Sequence, residues 1–358
     1  MPFLSEISLT WFRNFEQKRL AFNSPVVGIA GKNGMGKTNL LDAVYYLCFT
    51  KSYFQSKERH NVLNGREGFR IEGHWQEADK REKTTCIYRE GKKTVLQNDL
   101  AYERVSEHIG KYHAVMIAPD DLGLINNGSD GRRKFIDGLL AQTNTEYLEH
   151  LLAYQKILLQ KNAYLKQTPP ANVQWSLLDI YDEQLAVHGW VLLEQRMALS
   201  AFLPERVCAG YRQLSATDSE RPDMEYQPCA QPEGLLEMFR QNRRYDLDYK
   251  RTVKGLHTDD WLFMLNGEPL KARASQGQKK SFLISLKLAQ IDWLCRFDAQ
   301  PMLLMDDIFE KLDRYRIERL FGLLPQFNLP QLIITHTEAA EMEKALGLYH
   351  DQNQIICL

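Results

Sequence analysis

The 358-residue chain carries 45 lysines and arginines against 46 aspartates and glutamates, a formal charge of −1, and 44% of its residues are hydrophobic. That balance excludes a polycation that wraps nucleic acid by bulk attraction, so any contact with nucleic acid rests on a local patch. Cys48, Cys86, Cys208, Cys229, Cys295 and Cys357 form no C-x-x-C pair, which argues against a zinc ribbon or a disulfide framework. With no leader pattern and no apolar run near the ~20 residues of a membrane span, the sequence reads as cytoplasmic, with no membrane partner.

In chain order, Ile7, Leu9, Trp11 and Phe15 fall mostly on alternate positions and predict a strand. Val26–Ala30 is a short apolar run stopped by Gly31, a second strand. Leu40, Leu41, Val44, Tyr45, Leu47 and Cys48 then recur at helical spacing. Residues 69–75, 84–88 and 94–96 alternate and are broken by Glu90-Gly91, which predicts antiparallel strands, and 115–118 before Pro119 predicts a buried one. From Arg132 helical spacing takes over, through Ile136, Leu140, Leu151 and Leu158. Thr168-Pro169-Pro170 interrupts it, and a second helix over 175–203 is expected to stop at Pro204, making a hairpin arm. Helix is also expected over 235–245 and 278–293, with strands at 261–265 before an Asn266-Gly267 turn, at Met302–Met305 and at 332–335. This order predicts an α/β fold divided as 1–128, an inserted helical arm over 129–250, and 251–358.

The segment Gly31-Lys32-Asn33-Gly34-Met35-Gly36-Lys37-Thr38 matches G-x-x-x-x-G-K-T between a strand and a helix, the context that a phosphate-binding loop requires. Its glycines allow positive φ and close backbone approach, Lys37 supplies a cation to the β and γ phosphates, and Thr38 offers a hydroxyl to Mg²⁺; Asn39 completes the candidate ATP-binding set. Far along the chain, Met302–Met305 runs into Asp306-Asp307, which suits Asp306 to the metal and Asp307 to the attacking water. Two acids in that place would also cap a following helix. Ser275-Gln276-Gly277-Gln278 opens a helix and offers a hydroxyl and N–H groups to an anion, though the same four residues would also serve as a plain N-cap. His336, after an apolar strand, suits a switch that reaches the γ phosphate; a lone histidine is more often structural.

Taken together and in this order, these motifs resemble the ABC and SMC-like ATPases, and in particular a bacterial DNA-repair branch of them. Phe12-Arg13-Asn14-Phe15, Lys51-Ser52, Pro119-Asp120-Asp121-Leu122, Arg132-Arg133, Asn266-Gly267 and Lys311-Leu312-Asp313 carry the likeness beyond the ATPase motifs. The resemblance implies a P-loop ABC-type ATPase head with an antiparallel β subdomain and an inserted α-helical hairpin arm. It implies catalytic roles for Asp307 and His336, and a homodimer in which Ser275, Gln276, Gly277 and Gln278 of one copy close over the ATP of the other. It further implies slow hydrolysis, binding to gapped DNA or single-strand/double-strand junctions, and work with RecO and RecR to load RecA. Arg132, Arg133, Lys134, Arg243, Arg244, Lys250, Arg251 and Lys254 are candidate phosphate contacts, each taken singly more readily read as solvated surface charge. A transporter's ATPase subunit and an OLD-type ATPase-nuclease stay open as alternatives. The helical segment is long for the first, and the residues after His336 leave no room for the nuclease domain of the second.

Overall fold

A computed structural model describes residues 2–215, 219–308, 313–347, 349 and 352–358. The chain begins with strands β1 (Phe3–Phe12), β2 (Phe15–Ala21) and β3 (Val26–Ala30), then helix α1 (Lys37–Phe49). Strands β4 (Gly68–Glu77), β5 (Lys80–Arg89), β6 (Lys92–Gln97), β7 (Leu100–Ala101) and β8 (Ala114–Ile117) follow. A helical stretch comprises α2 (Gly123–Asn126), α3 (Ser129–Thr143), α4 (Thr145–Gln167) and α5 (Trp175–Leu214). After it come β9 (Pro222–Gln227), α6 (Leu235–Tyr249), β10 (Asp260–Leu265), β11 (Glu268–Pro269), α7 (Leu270–Arg273) and α8 (Gln276–Cys295). The chain closes through β12 (Met302–Met305), α9 (Arg314–Leu323), β13 (Leu332–His336), α10 (Ala339–Leu346) and β14 (Gln354–Cys357).

These elements form two compact units, one from Met1–Asp121, Gly210–Ala216 and Leu283–Leu358, the other from Leu122–Ala209 and Thr217–Phe282. The first holds a parallel sheet in the order β14-β3-β13-β12-β8 and an antiparallel sheet in the order β2-β1-β4-β5-β6-β7. Helix α1 touches strands of both sheets. Its Leu40, Leu41, Val44, Tyr46 and Leu47 are all fully buried, as a helix covered on every side must be. They join Ile7, Leu9, Ile29, Ile71, Leu304 and Ile333 in one core. Because β12, β13 and β3 are parallel and adjacent, with Met305 opposite Ile334 and His336 opposite Ala30, their carboxyl ends share one edge of the sheet. That edge is where open α/β sheets hold ligands.

The second unit contains α3, α4, α6 and a three-stranded antiparallel sheet in the order β11-β10-β9. The Asn266-Gly267 turn joins β10 to β11 with both residues at positive φ, 54° and 78°, the geometry that this dipeptide favours.

Three expectations need correction. Helix α5 does not stop at Pro204, which lies inside it. The helix continues because Leu203, Val207, Tyr211 and Leu214, at helical spacing, are all fully buried, and that packing outweighs the missing N–H and the ring clash. Phe15 does not share a strand with Ile7 and Leu9 but opens β2 across the turn from Phe12, and Trp11 does not share their buried face. Its φ of 54° turns the indole out of the alternation, leaving it 39% exposed, and Phe12 is buried instead. Strand β9 was not expected, since Pro222, Asp223 and Gln227 are poor strand formers; it is tolerated as an edge strand paired only with β10.

Candidate functional site: a phosphate loop with an acidic strand end

The segment from Gly31 to Thr38 bridges the end of β3 and the start of α1. Gly34 and Gly36 hold φ of 86° and 103°, which explains their identity. A Cβ on Gly36 would also lie 2.6 Å from Asn14 Nδ2 and 2.8 Å from the Phe15 ring. The Lys37 side chain is 5% exposed, and its ammonium donates to the Gly31 carbonyl at 2.7 Å, folded back along the loop whose phosphates it is suited to meet. Asn33 Oδ1 stands 3.4 Å from the same nitrogen. Lys32 and Gly34 are exposed and Met35 is 48% exposed, so this rim of the loop is open.

Two remote strands complete the site. Thr38 Oγ1 lies 3.0 Å from both oxygens of Asp306, across 268 residues of sequence. Thr335, the penultimate residue of β13, donates to Asp306 Oδ1 at 2.7 Å and accepts from the Asp307 amide at 3.0 Å. Burial pushes the Asp306 carboxyl up, opposed by the Thr335 and Thr38 hydroxyls. Asp307 holds a φ of 45°, the left-handed region, uncommon for a residue with a side chain. His336 is buried, its carbonyl accepts from the Gly31 amide at 3.2 Å, and its Nε2 lies 3.1 Å from Glu341 Oε2. Thus Gly31 to Thr38, Asp306, Asp307 and His336 are gathered in one unit.

The oxygen donors fit a hard cation. Among the described residues no three His, Cys, Asp or Glu side chains gather for a metal. One carboxylate and one hydroxyl are what Mg²⁺ takes from a protein when phosphate oxygens supply the rest.

Two participants escaped the sequence reading of the site. Asn14 donates to the Met35 carbonyl at 3.2 Å and accepts from Asn39 Nδ2 at 2.7 Å, buttressing the loop from the β1–β2 turn. The sequence pattern places Thr335 in a core strand; the signal of its second role is a hydroxyl closing an otherwise aliphatic run. Asn39 therefore meets the loop's support, through Asn14. Beside them Arg13 pairs with the buried Asp42, which also accepts from Ser52 and from the Tyr53 amide, both at 2.7 Å.

Ser275, Gln276, Gly277 and Gln278 lie in the second unit at the start of α8. Ser275 Oγ accepts from the Gln278 amide at 3.3 Å while Gln278 Oε1 accepts from the Ser275 amide at 2.7 Å, a reciprocal capping box. The capping alternative is thus realised, and Ser275 and Gln276 remain exposed. Arg132 is bound to Asp260 through two nitrogens at 2.8 and 2.9 Å, Arg133 to Ser129 and the Asp259 carbonyl, and Arg243 to Asp182 and Asp179. As phosphate contacts these three are already committed elsewhere. Arg244, Lys250, Arg251 and Lys254 are exposed, as is Lys134. Lys311 and Leu312 lie outside the described residues.

The family model described as "RecF/RecN/SMC N terminal domain" matches residues 3–356. The chain is 38% identical over 348 residues to the DNA replication and repair protein RecF of Phocaeicola vulgatus, spanning 96% of this chain and 93% of that one. It is 36% identical over 359 residues to RecF of Flavobacterium johnsoniae, spanning 99% of each. Among solved structures it resembles the recombination mediator protein RecF with ATP, in the RecFOR pathway, at a TM-score of 0.87 and 28% identity, over 95% of this chain and 93% of that one. A Pyrococcus furiosus Smc head domain, at 15% identity and a TM-score of 0.53, over 96% of this chain and 92% of that one, shares the fold.

Proposed function

Because the chain belongs to the RecF/RecN/SMC N-terminal domain family, we propose that it is an ATP-dependent DNA-binding protein of replication and recombinational repair. ATP joins two copies head to head on gapped DNA or at single-strand/double-strand junctions, and slow hydrolysis releases them. The observation that carries this reading is the Thr38–Asp306 contact, which places a phosphate loop and an acidic strand end side by side.

In this reading the loop amides from Gly31 to Thr38 and the Lys37 ammonium hold the triphosphate, and Thr38 with Asp306 holds Mg²⁺, which supplies charge neutralisation when bound. Thr335 fixes the Asp306 carboxylate and the Asp307 backbone. Asp307 orients the attacking water and accepts its proton, and His336, anchored beside Gly31 through its carbonyl, senses the γ phosphate. The exposed Ser275 and Gln276 complete the pocket of a second copy. That the ATP-bound relative acts in the RecFOR pathway supports RecO and RecR as partners, with RecA loading as the outcome.

The test is size-exclusion chromatography with and without ATP and gapped DNA. Lys37→Ala abolishes nucleotide binding and the dimer; Ser275→Arg binds ATP yet stays monomeric. Wild-type dimerisation in both variants would defeat the proposal.

A further inference from the structure

The antiparallel sheet of the first unit carries a cleft of about 520 Å³ lined by residues of β1, β4 and β5 and the loop before β4, none of them in the phosphate-loop site. Its lining includes Trp11, Tyr88, Arg66, Arg70 and Arg89, against one acid, Glu67. Trp11 is the residue whose positive φ turns its indole outward, and a large side chain held in that conformation is a backbone cost concentrated at this spot. The Arg66 guanidinium lies over the indole, 4.9 Å from its centre. Tyr88 stacks on Phe69 with ring centres 5.7 Å apart. All three arginines have acidic neighbours: the Arg66–Glu16 and Arg89–Glu90 pairs, at 3.1 and 3.2 Å, are solvent-exposed and therefore weak enough for a phosphate to displace, whereas Arg70 is held at 2.5 Å by Glu72, whose side chain is only 22% exposed.

A part-exposed indole and a half-buried tyrosine ring interleaved with guanidinium groups, in a volume typical of small-ligand sites, match a planar base joined to a phosphate. We propose that this cleft takes one base-and-phosphate step of a single DNA strand, the base against Trp11 and Tyr88 and the phosphate against Arg66 and Arg89. The inference rests on the DNA-binding reading above and gives that reading a place on the chain.

The experiment is fluorescence-anisotropy titration of a labelled oligothymidylate across a salt series. Arg66→Ala/Arg89→Ala removes only exposed groups, and Trp11→Phe keeps an aromatic face that Trp11→Ala deletes. The expected result is affinity about tenfold lower for Trp11→Ala and near wild type for Trp11→Phe. For the double arginine variant, affinity falls and the slope of log affinity against log salt drops by ~0.7 per lost phosphate contact. ATP binding stays as in the wild type throughout. Unchanged affinity and slope in the double arginine variant would overturn the cleft while leaving DNA binding intact. Competition by thymidine monophosphate as strong as by the oligonucleotide would overturn the strand assignment. A wild-type protein that binds no DNA removes both this inference and the reading beneath it.

Discussion

Lys161 has no solvent exposure, and its ammonium lies 2.8 Å from Asp182 and 2.7 Å from Asp246, themselves buried. The pairing ties α4, α5 and α6 together at one point. Removing the cation leaves the buried Asp246 carboxylate without its cation, while Asp182 keeps Arg243 at 2.7 Å, so Lys161→Met is expected to lower stability by ~3–5 kcal/mol, measured by urea unfolding. A cost below 1 kcal/mol would mean that water reaches the site. The buried histidines make a second residue-scale case. His108 and His257 lie with Nε2 against the carbonyls of Leu47 and Thr252, at 2.7 and 3.0 Å, and their Nδ1 atoms have no hydrogen-bond partner among the described residues. Burial lowers both pKa values below the ordinary histidine range. The folded state therefore refuses a proton that the unfolded chain accepts below ~6.5, so the stability they allow is full above that pH and lost as pH falls through it. The unfolding free energy from urea titration should drop between pH 7 and 5.5, by up to ~1.4 kcal/mol per pH unit per histidine. His108→Gln/His257→Gln should flatten that dependence.

At the scale of elements, legibility followed burial pattern. Strand β3 and helix α1 could be read because an aliphatic run, a glycine loop and a helical repeat follow one another, and the Glu90-Gly91 turn could be read because both residues sit at positive φ, 52° and 79°. Helix α5 could not be bounded, because proline marks a local cost and the compensating burial of Leu203, Val207 and Tyr211 is tertiary. Strand β9 was hidden for the converse reason: its partner β10, not its own side chains, makes it a strand. If packing alone carries α5 past Pro204, then Pro204→Ala restores an N–H and relieves the ring clash without changing the buried face. Stability is expected to rise by ~1–3 kcal/mol in urea unfolding. A loss of stability would show that the core has been built around the proline.

For the whole molecule, residues far apart in sequence meet because parallel strands end together: Gly31, Asp306 and His336 follow or close β3, β12 and β13 at one sheet edge. The motifs announced these three, since each stands at the end of an apolar run. Asn14 and Thr335 were silent as site residues because their part is to hold other site residues, which only the fold reveals. The same distinction separates what one chain does from what two do. If the loop alone binds ATP, saturating ATP with Mg²⁺ at about a hundred times Kd stabilises the protein by ~2.7 kcal/mol, read as a shift in thermal unfolding. At low protein concentration that shift should be equal in wild type and Ser275→Arg and absent in Lys37→Ala. Raising the protein concentration should enlarge it in the wild type alone, because only there does mass action on a dimer add to ligand binding. A Ser275→Arg variant that loses the shift even when dilute would place Ser275 in its own chain's pocket, and closure by a second copy would have to be abandoned.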